Sequence, residues 1–97
     1  MLELIQSDTF RQWLDSLRNP RSRARVQVRL DRLAMGNPGG AMPVGSGVFE
    51  LQIDYGSGYL IYFKRVGSLF IVLLYAASGE PQATHVKQAI RIAKGWN

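Results

Sequence analysis

The chain predicts an α+β fold of order β-α-α-β-β-β-α, an antiparallel-rich sheet with a helical hairpin on one face and a C-terminal helix. Three observations predict it. Apolar residues recur at helical spacing over two adjoining windows that meet at Asn19-Pro20. From Val48 the period changes to two, in short stretches separated by glycine-containing turns. After Pro81 the helical period returns.

Leu2 to Gln6 is short and apolar and reads as an opening strand. Ser7-Asp8-Thr9 is a helix-start cluster, with Thr9 and Gln12 at capping-box spacing. Phe10, Trp13, Leu14 and Leu17 then share one helical face. Asn19 ends that helix and caps the next, and Pro20 suits the first helical position because an N–H there has no intrahelical partner. The second helix is expected from Pro20 to about Met35, ending at Gly36-Asn37. Its apolar side carries Val26, Leu30, Leu33 and Ala34, while Arg21, Arg25, Arg29 and Arg32 fall within a separate arc of about 80°. Helices joined this tightly pack as a hairpin.

Gly36-Asn37-Pro38-Gly39-Gly40 opens a loop expected to run to about Gly47. Phe49, Leu51 and Ile53 then alternate with Glu50, Gln52 and Asp54, so the first set should face the core and the second solvent. Tyr55-Gly56-Ser57-Gly58 is a hairpin connection whose glycines supply turn conformations. In the next strand, Tyr59 to Arg65, alternation puts Tyr59, Ile61 and Phe63 inward and Leu60, Tyr62 and Lys64 outward. Gly67-Ser68 leads into Leu69 to Ala76, apolar at nearly every position and expected as the central strand, covered on both faces. Gln82 to Lys94 closes the chain as a helix with Val86, Ala89, Ile90 and Ala93 on one side. Trp13 and Trp96 read as packing residues.

Ninety-seven residues, 46% hydrophobic and 20% charged, suit one folded domain spanning 1–97. With no cysteine, disulfides and thiolate metal sites are excluded. The amino terminus lacks both a basic start and a long apolar stretch, and Leu69 to Ala77 is too short to span a bilayer, so a cytoplasmic protein without a membrane partner is expected. A net charge of +5 favours acidic partners: nucleic acid, the ribosome or an acidic protein. Arg18, Arg21, Arg23, Arg25, Arg29 and Arg32 supply six of the twelve basic residues, opposed in that stretch only by Asp31. The stripe of Arg21, Arg25, Arg29 and Arg32 reads either as a solvated face or as a surface for an acidic protein segment.

The element order at this length resembles the RelE/ParE superfamily, and local motifs narrow the resemblance to the HigB-like addiction-module killer proteins. The motifs are Phe10-x-x-Trp13-Leu14-x-x-Leu17, Arg23 to Leu33, Gly36-Asn37, Val44-Gly45-Ser46-Gly47-Val48-Phe49-Glu50-Leu51, Tyr55-Gly56-Ser57-Gly58-Tyr59 with Ile61-Tyr62-Phe63, and finally Gln82, Val86 and Ala89. The resemblance implies a RelE-like fold and a toxin held inactive by a cognate antitoxin, of the helix-turn-helix type. It implies cleavage of messenger RNA on the ribosome without metal or other cofactor, and contact with operator DNA only through the antitoxin complex. The ParE branch of the same fold instead poisons DNA gyrase.

RNA cleavage without a metal needs a base for the 2′-hydroxyl, an acid for the leaving oxygen and cations for the growing charge on phosphorus. The resemblance places basic residues in Glu-Leu-Arg, Gly-Tyr-Arg and a Gly-Asp-Lys-like turn. Here those stretches read Glu50-Leu51-Gln52, Gly58-Tyr59-Leu60 and Ser78-Gly79-Glu80. The catalytic candidates are His85 as acid or base and Lys64 and Arg65 as phosphate contacts, with Glu50 or Asp54 as an alternative base. Tyr62, as a base-stacking ring, joins Gln52 and Leu60 as the expected RNA-binding positions. Three readings stay open: a ribosome-dependent endoribonuclease, a toxin-fold protein without nuclease activity (degenerate, inactivated by substitution, or with another target such as DNA gyrase), and a nucleic-acid-binding regulator using the arginine stripe.

Overall fold

A computed structural model describes residues 1–96. The strands are β1 (Glu3–Gln6), β2 (Met42–Gly45), β3 (Val48–Ile53), β4 (Tyr59–Val66) and β5 (Phe70–Ser78), and the helices α1 (Asp8–Ser16), α2 (Pro20–Ala34) and α3 (Ala83–Ala93). The strands form one sheet in the order β1-β5-β4-β3-β2, in which only the β1–β5 pair is parallel. The α+β class with a mostly antiparallel sheet therefore stands, but the element order gains a strand. β2 lies where a continuous loop is expected, because Met42-Pro43-Val44-Gly45 carries no alternation and includes a proline. Proline lacks an N–H to donate and is tolerated at a sheet edge, which is where β2 sits, with its register broken between Pro43 and Gly45.

The central strand is β4 rather than β5, since β1 adds in parallel to the far side of β5 through Leu4↔Ile71 and Ile5↔Val72. The helix starts are set by short side chains. Ser7, not Thr9, caps α1: its Oγ accepts the Phe10 N–H at 3.0 Å and donates to the Leu74 carbonyl at 2.7 Å, fixing the helix to β5. Asn19 Oδ1 accepts from the N–H groups of Arg21 and Ser22, as its place before Pro20 leads one to expect. The Arg23 guanidinium donates to the carbonyls of Leu14 and Leu17, satisfying the open end of α1 and closing the hairpin.

Two cores result, one on each face of the sheet. Phe10, Val26, Leu30 and Leu33 of the hairpin pack on Leu51, Ile53, Ile61, Phe63, Ile71 and Leu73. On the opposite face, Val48, Leu60, Tyr62, Val72 and Leu74 lie beneath Ala89 and Ala93 of α3. The solvent exposure expected of Leu60 and Tyr62 is thereby corrected. Alternation does turn them away from the hairpin, but α3 covers that face and leaves Leu60 2% and Tyr62 0% exposed. A bulge in β5 shapes this second core. Phe63 pairs with Leu73 and Tyr62 with Tyr75, so Leu74 is an extra residue. Leu74 and Tyr75 therefore both serve the α3 side, and Ala76 returns to the hairpin side. Among the described residues no helix is long and apolar enough to cross a membrane.

Candidate functional site

Cross-strand pairing puts Glu50 of β3, Tyr62 of β4 and Tyr75 of β5 in one row on the α3 face. The Tyr62 hydroxyl donates to Glu50 Oε2 at 2.7 Å, and Gln52 Nε2 donates to Glu50 Oε1 at 3.0 Å. Glu50 is 7% exposed, so its carboxylate depends on these donors in place of water. His85, in the first turn of α3, extends the row: its ring centroid lies 6.2 Å from that of Tyr75. Its Nδ1 is buried and, among the described residues, has no hydrogen-bond partner.

Burial, then the hydrogen bond to Glu50 and the nearby Glu50 charge, push the Tyr62 phenol well above its ordinary value of 10.0. Near neutral pH it is a donor and never a base. Because the folded-state value is the raised one, its contribution to stability is full below about pH 10 and is lost as pH rises through the folded-state value. Tyr62→Phe removes the donor and leaves Glu50 with Gln52 alone. The variant is expected to lose about 1–3 kcal/mol at pH 7 and to show a shallower decline in stability above pH 10 than the parent. Urea unfolding at pH 7 and across pH 9–11 checks both; equal alkaline slopes would contradict the assignment.

The three catalytic candidates do not converge. Lys64 is on the α3 side but beside Ser46, Ile90 and Ala93, at the opposite end of that helix from His85. The rise from His85 to Ala93 is about 12 Å. Arg65, next along the strand, turns to the hairpin side, where it rims an apolar pocket of about 210 Å³ lined by Leu2, Phe49 and Phe63. Its Nη2 donates to the Ser68 carbonyl. Of the expected RNA contacts, Gln52 is exposed, but Leu60 is sealed and the Tyr62 ring has no free face on which a base could stack. Glu80 is exposed in the β5–α3 turn. Tyr75 belongs to the polar row although sequence reasoning missed it; the one tyrosine in an aliphatic run was its only signal.

A second arrangement lies on the hairpin side. Arg25, Val28, Arg29 and Arg32 of α2 face Asp54 and Tyr55 at the end of β3 across a cleft of about 370 Å³. Arg29 Nη1 donates to the Gln52 carbonyl at 3.3 Å and Nη2 to the Gly39 carbonyl at 3.0 Å. Glycine suits position 39: its φ of +59° is a left-handed conformation that glycine adopts readily, and a Cβ would lie 2.9 Å from Arg29 Nη2, so the arginine head would have to shift. The Arg25 guanidinium stands 5.0 Å from the centroid of the Tyr55 ring. Among the described residues no carboxylate lies within salt-bridge distance of Arg21, Arg25, Arg29 or Arg32. Nor, among those residues, does any group of three or more His, Cys, Asp or Glu side chains come together in a way that could hold a metal ion.

Fold and site define an α+β protein with a buried carboxylate–phenol pair under one helix and, beside another, a cleft with three arginines on one wall and Asp54 on the other. No family model matches the chain. It is similar to an uncharacterized protein of Haemophilus influenzae, 38% identical over 86 residues that make up 89% of this chain and 87% of the relative. The chain belongs to the family of that protein.

Proposed function

We propose that this chain is the toxin component of a type II toxin–antitoxin pair, neutralised by a protein encoded beside it, and that it acts by binding its target rather than by cutting RNA. The toxin reading rests on the resemblance to the HigB-like killer proteins. One observation carries the choice of binding over cleavage: the groups that RNA cleavage would draw on are dispersed. His85 and Lys64 sit at opposite ends of α3, Arg65 is on the other face of the sheet, and Leu60 fills the core where the resemblance expects a cation. A target such as gyrase fits this reading.

A second reading, a ribosome-dependent endoribonuclease, is favoured by the buried Glu50–Tyr62 pair and the unpartnered Nδ1 of His85. Expressing the chain without its neighbour separates the two. Growth arrest with intact transcripts is the expected result. Arrest with messages cut at codon positions, abolished by His85→Ala, would establish the endoribonuclease instead. Unimpaired growth would overturn the toxin reading.

A further inference from the structure

We infer that the cleft between α2 and the end of β3 is where the inhibitory protein partner docks, through an acidic segment that seats an apolar side chain on Val28. The inference rests on the toxin reading for the existence of such a partner; its location and chemistry come from the cleft itself.

The cations are exposed or half-buried and lack carboxylates of their own, so the surface is complementary to an acidic ligand. Two of them are already held in place, Arg29 by the carbonyls of Gln52 and Gly39 and Arg25 by the face of Tyr55. A ligand therefore spends little entropy ordering them. Between them, one helical turn from Arg25 and from Arg32, Val28 is 46% exposed, an apolar floor in a basic cleft. That floor, together with Asp54 on the opposite wall, favours a protein ligand over a nucleic acid. A phosphodiester backbone is polar and anionic throughout and would meet the Asp54 carboxylate on the opposite wall, with only a splayed base or sugar able to cover Val28. A protein segment can bury an apolar side chain on Val28, present carboxylates to Arg25 and Arg32, and donate an N–H to Asp54. The cleft is on the hairpin side of the sheet, so a partner seated there leaves α3 and the Glu50–Tyr62–Tyr75–His85 row uncovered.

The test uses the full chain and, as probe, the protein encoded by the adjoining reading frame, with affinity measured at low and moderate salt. The Arg25→Glu/Arg32→Glu double variant is expected to weaken the complex by at least a hundredfold at low salt and Val28→Asp by at least tenfold. Parent affinity should fall as salt rises. These side chains are at the surface, and an unchanged melting temperature confirms that each variant folds. Arg91→Glu, exposed on α3, is the control and should bind as the parent does. A parent complex that the cleft variants leave within twofold would overturn the inference while leaving the toxin reading intact. Absence of any complex would overturn the inference, and the growth assay then reports separately on toxicity. If an oligouridylate probe binds the chain and loses affinity in the double variant, while the protein complex does not, the cleft is a nucleic-acid surface and the inference fails.

Discussion

Leu60→Arg is expected to unfold the chain or leave it without fixed packing, whereas Gln52→Arg is expected to fold normally. Both substitutions restore a cation where the resemblance to killer proteins places one. Leu60, however, is 2% exposed in the core beneath α3, among Val48, Tyr62, Val72 and Leu74. Replacing it forfeits roughly 2–3 kcal/mol of apolar burial. It also places an unpaired guanidinium where desolvation costs several kcal/mol more. A small domain has only about 5–15 kcal/mol in total. Gln52 is exposed and its side chain does no more than donate to Glu50 Oε1, so an arginine there can make the same contact with a charge. Thermal melts and amide exchange in α3 check the pair; Leu60→Arg melting within a few degrees of the parent would contradict the covered face. Any search for gained nuclease activity has therefore to start from Gln52.

Phe10→Ala is expected to be the most damaging truncation in the hairpin. Phe10 is fully buried in the first core, and its ring is 5.9 Å from that of Trp13. Removing a buried phenylalanine ring typically costs about 3–5 kcal/mol. In a domain of this size each kcal/mol is worth roughly 4–8 °C in Tm. A fall of at least about 12 °C is expected, read by circular dichroism. Thr9→Ala makes a matched control: it should be almost silent, because the cap bonds of α1 come from Ser7.

What could be read from the sequence was whatever is decided within a few residues. Asn19-Pro20 marks a helix junction by its own capping chemistry, and the glycine turns after Ile53 and Val66 follow from the conformations they require. The arginine stripe follows from helical spacing alone. What covers a surface is decided elsewhere in the chain. The alternation of β4 correctly separates Leu60 and Tyr62 from Ile61 and Phe63, but only the docking of α3 makes both sets buried. Leucine and tyrosine at nominally outward positions were the available sign of that cover. In β5 an unbroken apolar run conceals where the bulge falls, since every residue in it suits either face. The opposite wall of the arginine cleft, Asp54 and Tyr55, depends on how α2 crosses β3, which no local pattern encodes. Lys64 and Arg65 are the instructive pair: adjacent strand residues point to opposite faces, so they were never able to serve one site.

The bond from Ser7 to the Leu74 carbonyl joins residues 67 positions apart, and β1, at the sheet edge, pairs with β5. At ordinary translation rates, making the intervening chain takes roughly 3–13 s. For that interval β1 is made without its pairing strand, and the apolar side of α1 has only α2 to pack on. The arginines of α2 have been synthesised once residue 34 is added, and the residues of the other wall of their cleft once residue 55 is. The residues that line the cleft are thus made before the strands that complete the sheet, whereas the cleft takes its shape only when β4 and β5 hold β3 against α2.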